Sequence, residues 1–174
     1  MEEIVVTSGA TTALNCIFET YLNPGDDVVC FSPYFPFYKA WVNIQGATLK
    51  TVELRVPDDD TNESTANWGL IIEDFEQALS EKTKFVIMNN PMNPLGKLWT
   101  ESEYEQIASV LAKFPHICVI SDEVYEHTQA EGHKFTRFAN IQNMWDRTIS
   151  VYSIGKLFSC TGWRIGFMIG PDYL

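Results

Sequence analysis

Positive charge is scarce in this chain. Twelve Lys and Arg stand against 23 Asp and Glu over 174 residues, a formal net charge of -11. Such a surface repels phosphate backbones, and with no basic run to offset it, nucleic acid is excluded as a partner. Cysteine is sparse too. Cys16, Cys30, Cys118 and Cys160 are widely spaced, with no Cys-x-x-Cys pair and no histidine cluster. Structural zinc and a disulfide framework are therefore excluded, no metal is expected, and the cysteines read as reduced. No apolar run is long enough to span a bilayer, and Met1-Glu2-Glu3 does not open a signal peptide, so no membrane partner is expected. The expected location is cytoplasmic, or mitochondrial if a presequence precedes the chain. The Asn62-Glu63-Ser64 sequon, without a secretion signal, reads as a chance match. The chain has three histidines, none with an evident nucleophile partner, and lacks a nucleophile-elbow pattern, which argues against a hydrolase.

Hydrophobic residues, by contrast, make up 45% and aromatics 13%, enough for one domain with a substantial core. Apolar runs alternate with helical patterns. Strands are expected over residues 4–7, 28–31, 47–54, 84–88, 117–121, 148–152 and 164–169. Helices are expected over 11–21, 33–44, 68–79 and 100–113, the last capped by Thr100 with Glu103 in the capping-box position. Residues 57–67 read as an acidic, polar loop. This alternation predicts an α/β fold: a three-layer sandwich with a mostly parallel central sheet and helices on both faces. Ligands of such sheets bind beyond the carboxyl ends of the strands. Ser8-Gly9-Ala10, Pro33-Tyr34-Phe35, residues 89–93, Asp122 and residues 153–156 all fall just past predicted strand ends.

Lys156 follows Ser153-Ile154-Gly155, and Arg164 comes eight positions later. A lysine among apolar and small polar neighbours can be partly desolvated, which suits an amine to Schiff-base chemistry. Ser153 and Arg164 bring a hydroxyl and a fixed cation, the equipment for gripping a phosphate. Lysine chemistry beside a phosphate grip points to pyridoxal 5'-phosphate; the competing reading is a surface lysine after a buried strand. A cofactor of that kind needs a carboxylate at its ring nitrogen, donors at its ring hydroxyl, an aromatic wall and an anion site. Asp122 could serve the nitrogen, Asn93 and Tyr125 the hydroxyl, and Phe35 the ring face. The amides of Ala10 and Thr11, at a helix start after Gly9, could serve the phosphate. Ser8 and Thr11 fit a helix N-cap equally well.

Five separated motifs extend this pattern: Thr7-Ser8-Gly9-Ala10, Ser32-Pro33-Tyr34-Phe35, Asn90-Pro91-Met92-Asn93-Pro94-Leu95-Gly96, Ser121-Asp122-Glu123-Val124-Tyr125, and Ser153 through Gly166. Together they resemble the large domain of class I/II aminotransferases, fold type I of the pyridoxal phosphate enzymes. Asn93-Pro94-Leu95-Gly96-Lys97 and Met144-Trp145-Asp146-Arg147-Thr148 are most similar to the kynurenine–oxoglutarate transaminase and cysteine-conjugate β-lyase group. The resemblance implies that Lys156 is the Schiff-base lysine and proton carrier, and that Asp122 partners the pyridine nitrogen. It implies Asn93 and Tyr125 at the ring hydroxyl and Phe35 stacked on the ring. Ser153, Arg164 and the Ala10 and Thr11 amides would hold the phosphate.

The same resemblance implies an amino acid and a 2-oxo acid as small-molecule partners and a homodimer as the full-length state. Residues 1–174 would then be a partial cofactor-binding large domain, without the N-terminal segment and the C-terminal small domain with its carboxylate-binding arginine. Transamination, β-elimination from a cysteine conjugate, and a non-catalytic cofactor-binding or dimerisation fragment stay open at this point. Thr11 and Leu95 depart from residues common in relatives, so substrate fit is expected to differ.

Overall fold

The computed structural model describes residues 3–56, 64–129 and 131–174. Seven strands form one sheet: β1 (Ile4–Thr7), β2 (Asp27–Ser32), β3 (Thr48–Glu53), β4 (Thr83–Asn89), β5 (Cys118–Asp122), β6 (Thr148–Ser153) and β7 (Gly166–Ile169). Their spatial order is β1-β7-β6-β5-β4-β2-β3. The pairings from β3 through β6 are parallel, and β7 runs antiparallel to both β6 and β1. The predicted α/β sandwich is therefore present, with one reversed strand near an edge.

Strand alternation divides the core between the two faces. Val28, Cys30, Phe85, Ile87, Ile120, Ile149 and Val151 face α1 (Ala10–Tyr21) and α2 (Phe37–Ile44), meeting Leu14, Phe18, Tyr38 and Val42. Val29, Phe31, Val86, Met88 and Val119 face α3 (Ile72–Ala78) and α4 (Glu101–Leu111), meeting Phe75, Tyr104, Ile107 and Leu111. The strands are apolar on both sides because both sides are covered. A short helix, α5 (Ile154–Leu157), follows β6 directly.

Two expected helices are shorter than predicted. The one expected from residue 33 begins at Phe37, with Pro36 as its N-cap. A residue before proline is pushed out of the helical region, and Phe35 occupies that place. The helix expected from residue 68 begins at Ile72. Gly69 instead pairs with Arg55, donating to and accepting from it at 3.0 and 2.8 Å, which keeps this stretch extended. The α4 capping box forms as expected, with Thr100 and Glu103 bonded reciprocally. Of the acidic loop expected over 57–67, residues 57–63 lie outside the described residues, and Thr65–Asn67 form a 3-10 turn. Among the described residues no helix is long and apolar enough to cross a membrane.

Candidate active site

The ends of β4, β5 and β6, the start of α1 and the segment after α5 converge on one cleft. Ala10, Thr11, Phe35, Asn93, Asp122, Tyr125, Ser153, Lys156 and Arg164 all line it, so every site residue picked from the sequence is in the same place. Asn89, expected just past a strand end, also lines it, and Leu14, Val124 and Thr161, which were not anticipated, complete the wall.

Asp122 is the last residue of β5, 4% exposed, on the α1/α2 side of the sheet. Burial pushes its carboxyl up to about 6, while a hydrogen bond from Tyr38 and a weaker one from the Val124 amide pull the other way. Tyr38 was missed from sequence. Its hydroxyl is a single polar atom on the apolar face of α2, and its one legible trace is the Phe35–Tyr38 spacing, which puts a second aromatic beside the first. No cation among the described residues pairs with Asp122. A buried carboxylate aimed into a cleft without a counter-ion is costly unless a ligand brings the positive charge.

Asn93 is held by backbone and side chain together. Its amide donates to Asn89 Oδ1 at 2.6 Å, and its Nδ2 meets the Tyr125 hydroxyl at 3.4 Å. Asn89 in turn donates to the Asp122 carbonyl at 2.9 Å, so the β4 and β5 tips are tied. Lys156, half-buried on α5, places Nζ 5.5 Å from the Tyr125 ring centroid, a cation–π distance. Phe35 stands in an aromatic group with Phe37, Tyr38 and Trp41, at centroid distances of 5.2, 5.6 and 6.3 Å.

The opposite end of the cleft is built for an anion. Gly9 caps α1 at φ 80, a conformation suited to glycine, and the Ser8 hydroxyl makes no cap bond. The Ala10 and Thr11 amides have no acceptor among the described residues. Arg164 adopts the left-handed conformation, φ 53 and ψ 47, at the end of a 3-10 turn. That bend lays its guanidinium against Gly9, where a β-carbon would come within 2.5 Å of Nη2. Gly166 performs the same service at the base: a β-carbon there would strike the Ala10 amide nitrogen and Gly9. Two free amides and the Arg164 guanidinium thus meet beside Gly9, and Ser153 lines the same cleft.

The family Aminotransferase class I and II matches residues 1–174. The chain belongs to it. Kynurenine–oxoglutarate transaminase of Dictyostelium discoideum is 39% identical over 179 residues, covering 99% of this chain and 41% of that one. Kynurenine–oxoglutarate transaminase 3 of Bos taurus is 41% identical over 174 residues, with 99% and 38% covered. Among solved structures, Bna3p of Saccharomyces cerevisiae superposes with a TM-score of 0.91 at 36% identity, covering 98% of this chain and 41% of that one. The chain spans about two fifths of the length of the curated relatives it matches.

Aminotransferases of this family use pyridoxal phosphate, and the residues present fit that group. The uncompensated Asp122 carboxylate suits a protonated ring nitrogen, and the free amides beside Arg164 suit a phosphate.

The two subgroup clues have structural explanations. Arg147 donates to the carbonyls of Leu111, Phe114 and Ile117, locking the end of α4 to the start of β5. Lys97, 2% exposed, pairs with Glu103 at 2.8 Å and lies over the Trp99 ring. Neither residue touches the cleft.

Proposed function

We propose that this chain forms the cofactor-holding part of a pyridoxal-phosphate-dependent transaminase of the kynurenine–oxoglutarate kind, moving an amino group between an amino acid and a 2-oxo acid. The observation that carries the reading is the cleft. A buried carboxylate without a cationic partner among the described residues, a half-buried lysine and an anion corner line one cleft at the strand ends. The names of the relatives support the kynurenine–oxoglutarate assignment.

Bound there, pyridoxal phosphate supplies an aldehyde for amines and a ring that accepts electrons. In this reading Asp122 holds a proton on the ring nitrogen, and Tyr38 holds Asp122 in place. Asn93 and Tyr125 donate to the ring hydroxyl oxygen, and Phe35 covers one ring face. Arg164, Ser153 and the Ala10 and Thr11 amides grip the phosphate. Lys156 would be the covalent anchor, and its amine would carry the proton from the substrate's α-carbon to the cofactor's aldehyde carbon. The same reading makes the protein a homodimer. In this reading the location is cytoplasmic, or mitochondrial if a presequence precedes the chain.

The test is borohydride reduction of the full chain loaded with pyridoxal phosphate, followed by peptide mapping, beside an assay for glutamate formed from kynurenine and 2-oxoglutarate. Cofactor mass on Lys156 with kynurenine-dependent glutamate is the expected result. Mass on any other lysine overturns the assignment. Pyruvate released from a cysteine conjugate would add the elimination reaction.

A further inference from the structure

We propose that Glu123 is a positioning residue for the cofactor cleft, acting with Tyr152 from the opposite sheet face to brace the strand ends that carry Asp122, Lys156 and Arg164. The proposal rests on the transaminase reading above and extends it to residues that touch neither cofactor nor substrate. Period-two alternation sends Glu123 to the far side from Asp122. There it is 1% exposed, with no part in the cleft.

Its partners come from the strands that build the site. The Glu123 amide donates to the Val151 carbonyl on β6 at 2.9 Å. Its carboxylate accepts from Ser121 Oγ on β5 and from the Tyr152 hydroxyl on β6, both at 2.9 Å. Tyr152 directly precedes Ser153 and stands four residues before Lys156. The Tyr152 ring stacks on Phe167 of β7, with centroids 4.9 Å apart and planes at 19°. Phe167 follows Arg164 by three residues, so the carboxylate reaches β5 and β6 directly and β7 through the Tyr152 ring. Arg137 closes the group, 3.6 Å from Glu123 and 5.9 Å from the Tyr152 centroid, and is itself paired with Glu126 beside Tyr125. A small space on this face is lined by Glu123, Tyr152, Ser153, Ile154, Leu157 and Phe167, so the brace lies against α5 itself.

An apolar plug could fill this volume but could not fix direction. A buried carboxylate holding two hydroxyls sets the orientation of Tyr152, and with it the place where β6 hands over to α5. Arg137 offsets part of the cost of burying this carboxylate, and the two hydroxyls take up its oxygens, so the group is directional as well as satisfied.

The experiment titrates pyridoxal phosphate into the full chain well below its melting temperature, for wild type, Tyr152→Phe, Glu123→Gln and the double variant. Tyr152→Phe removes one oxygen atom, so it tests the brace without opening a cavity. Each single variant is expected to weaken cofactor binding by roughly three- to tenfold. The double variant is expected to bind no worse than the weaker single, because Glu123→Gln weakens the same contact that Tyr152→Phe removes. Thr100→Ala, which removes the α4 cap away from the cleft, serves as control; it is expected to lower the melting temperature and leave cofactor affinity unchanged. If Tyr152→Phe and Glu123→Gln behave like that control, the brace is structural only and the proposal is overturned. Wild type that fails to bind the cofactor at all overturns the transaminase reading instead, and the brace with it.

Discussion

Two adjacent buried carboxylates, Asp122 and Glu123, point to opposite faces of the sheet, and each accepts a hydrogen bond from a tyrosine hydroxyl, Tyr38 for the first and Tyr152 for the second. Burial raises both, Asp122 to about 6 and Glu123 to about 7. Glu123 has an arginine within ion-pair distance, and Asp122 has no cation among the described residues. The difference separates a carboxylate that belongs to the framework from one that waits for a ligand. Desolvation alone does not tell them apart; the presence of a resident counter-charge does.

The largest expected effect comes from removing the waiting charge. Asp122→Asn keeps the shape and an acceptor for Tyr38 but loses the anion, and is expected to lower kcat by about a thousandfold, ~4 kcal/mol of transition-state stabilisation. Steady-state kinetics checks this. A loss below about tenfold would mean that Asp122 is as structural as its neighbour.

An intermediate effect is expected in the pH dependence of stability. Both carboxyls sit above their ordinary values of 3.8 and 4.5 in the folded protein. Between the ordinary and raised values the folded state holds protons that the unfolded chain has released, so acid favours folding through these two groups. Their contribution to stability increases as pH falls through about 7 and then 6, and levels off near the ordinary values. Pyridoxal phosphate should split the pair: a protonated ring nitrogen keeps Asp122 ionised and leaves Glu123 alone with its acid-side gain. Melting temperature plotted between about pH 5 and pH 8 is therefore expected to rise more steeply toward acid without cofactor than with it. Equal slopes would break the distinction.

The smallest effect is expected from Tyr38→Phe. Removing the donor leaves the Asp122 carboxylate less stabilised, so the pH at which cofactor affinity is half-lost moves upward, with a drop in kcat of roughly tenfold or less. An unmoved pH profile would show that Tyr38 does not tune Asp122.

The sequence carried the cleft more fully than it carried the edges of the fold. Strand ends in a parallel sheet are set by where apolar runs stop, and polar residues such as Asp122 and Ser153 mark those stops. Helix starts are set by local competition that the apolar period does not register. Phe35 precedes a proline and Gly69 pairs across to Arg55, and each shortened a helix that periodicity alone had extended. Tyr38 stayed illegible for another reason: it acts through one atom whose partner, Asp122, is 84 residues away, and no residue pattern encodes that meeting. Arg147 shows the reverse. Its sequence neighbourhood pointed to a subgroup of enzymes, while its side chain fastens three backbone carbonyls far from the chemistry.

The meeting of Arg164 with Gly9 has a consequence for biogenesis. The two halves of the anion corner lie 156 residues apart, counted from Ser8 to Arg164, and come together where β7 pairs with β1 and packs against the start of α1. A nascent chain still lacking its seventh strand has no finished cradle, however well its first six are laid down. Assembly of the anion corner therefore waits until β7 has joined β1, and a bound cofactor certifies that these two strands have found each other.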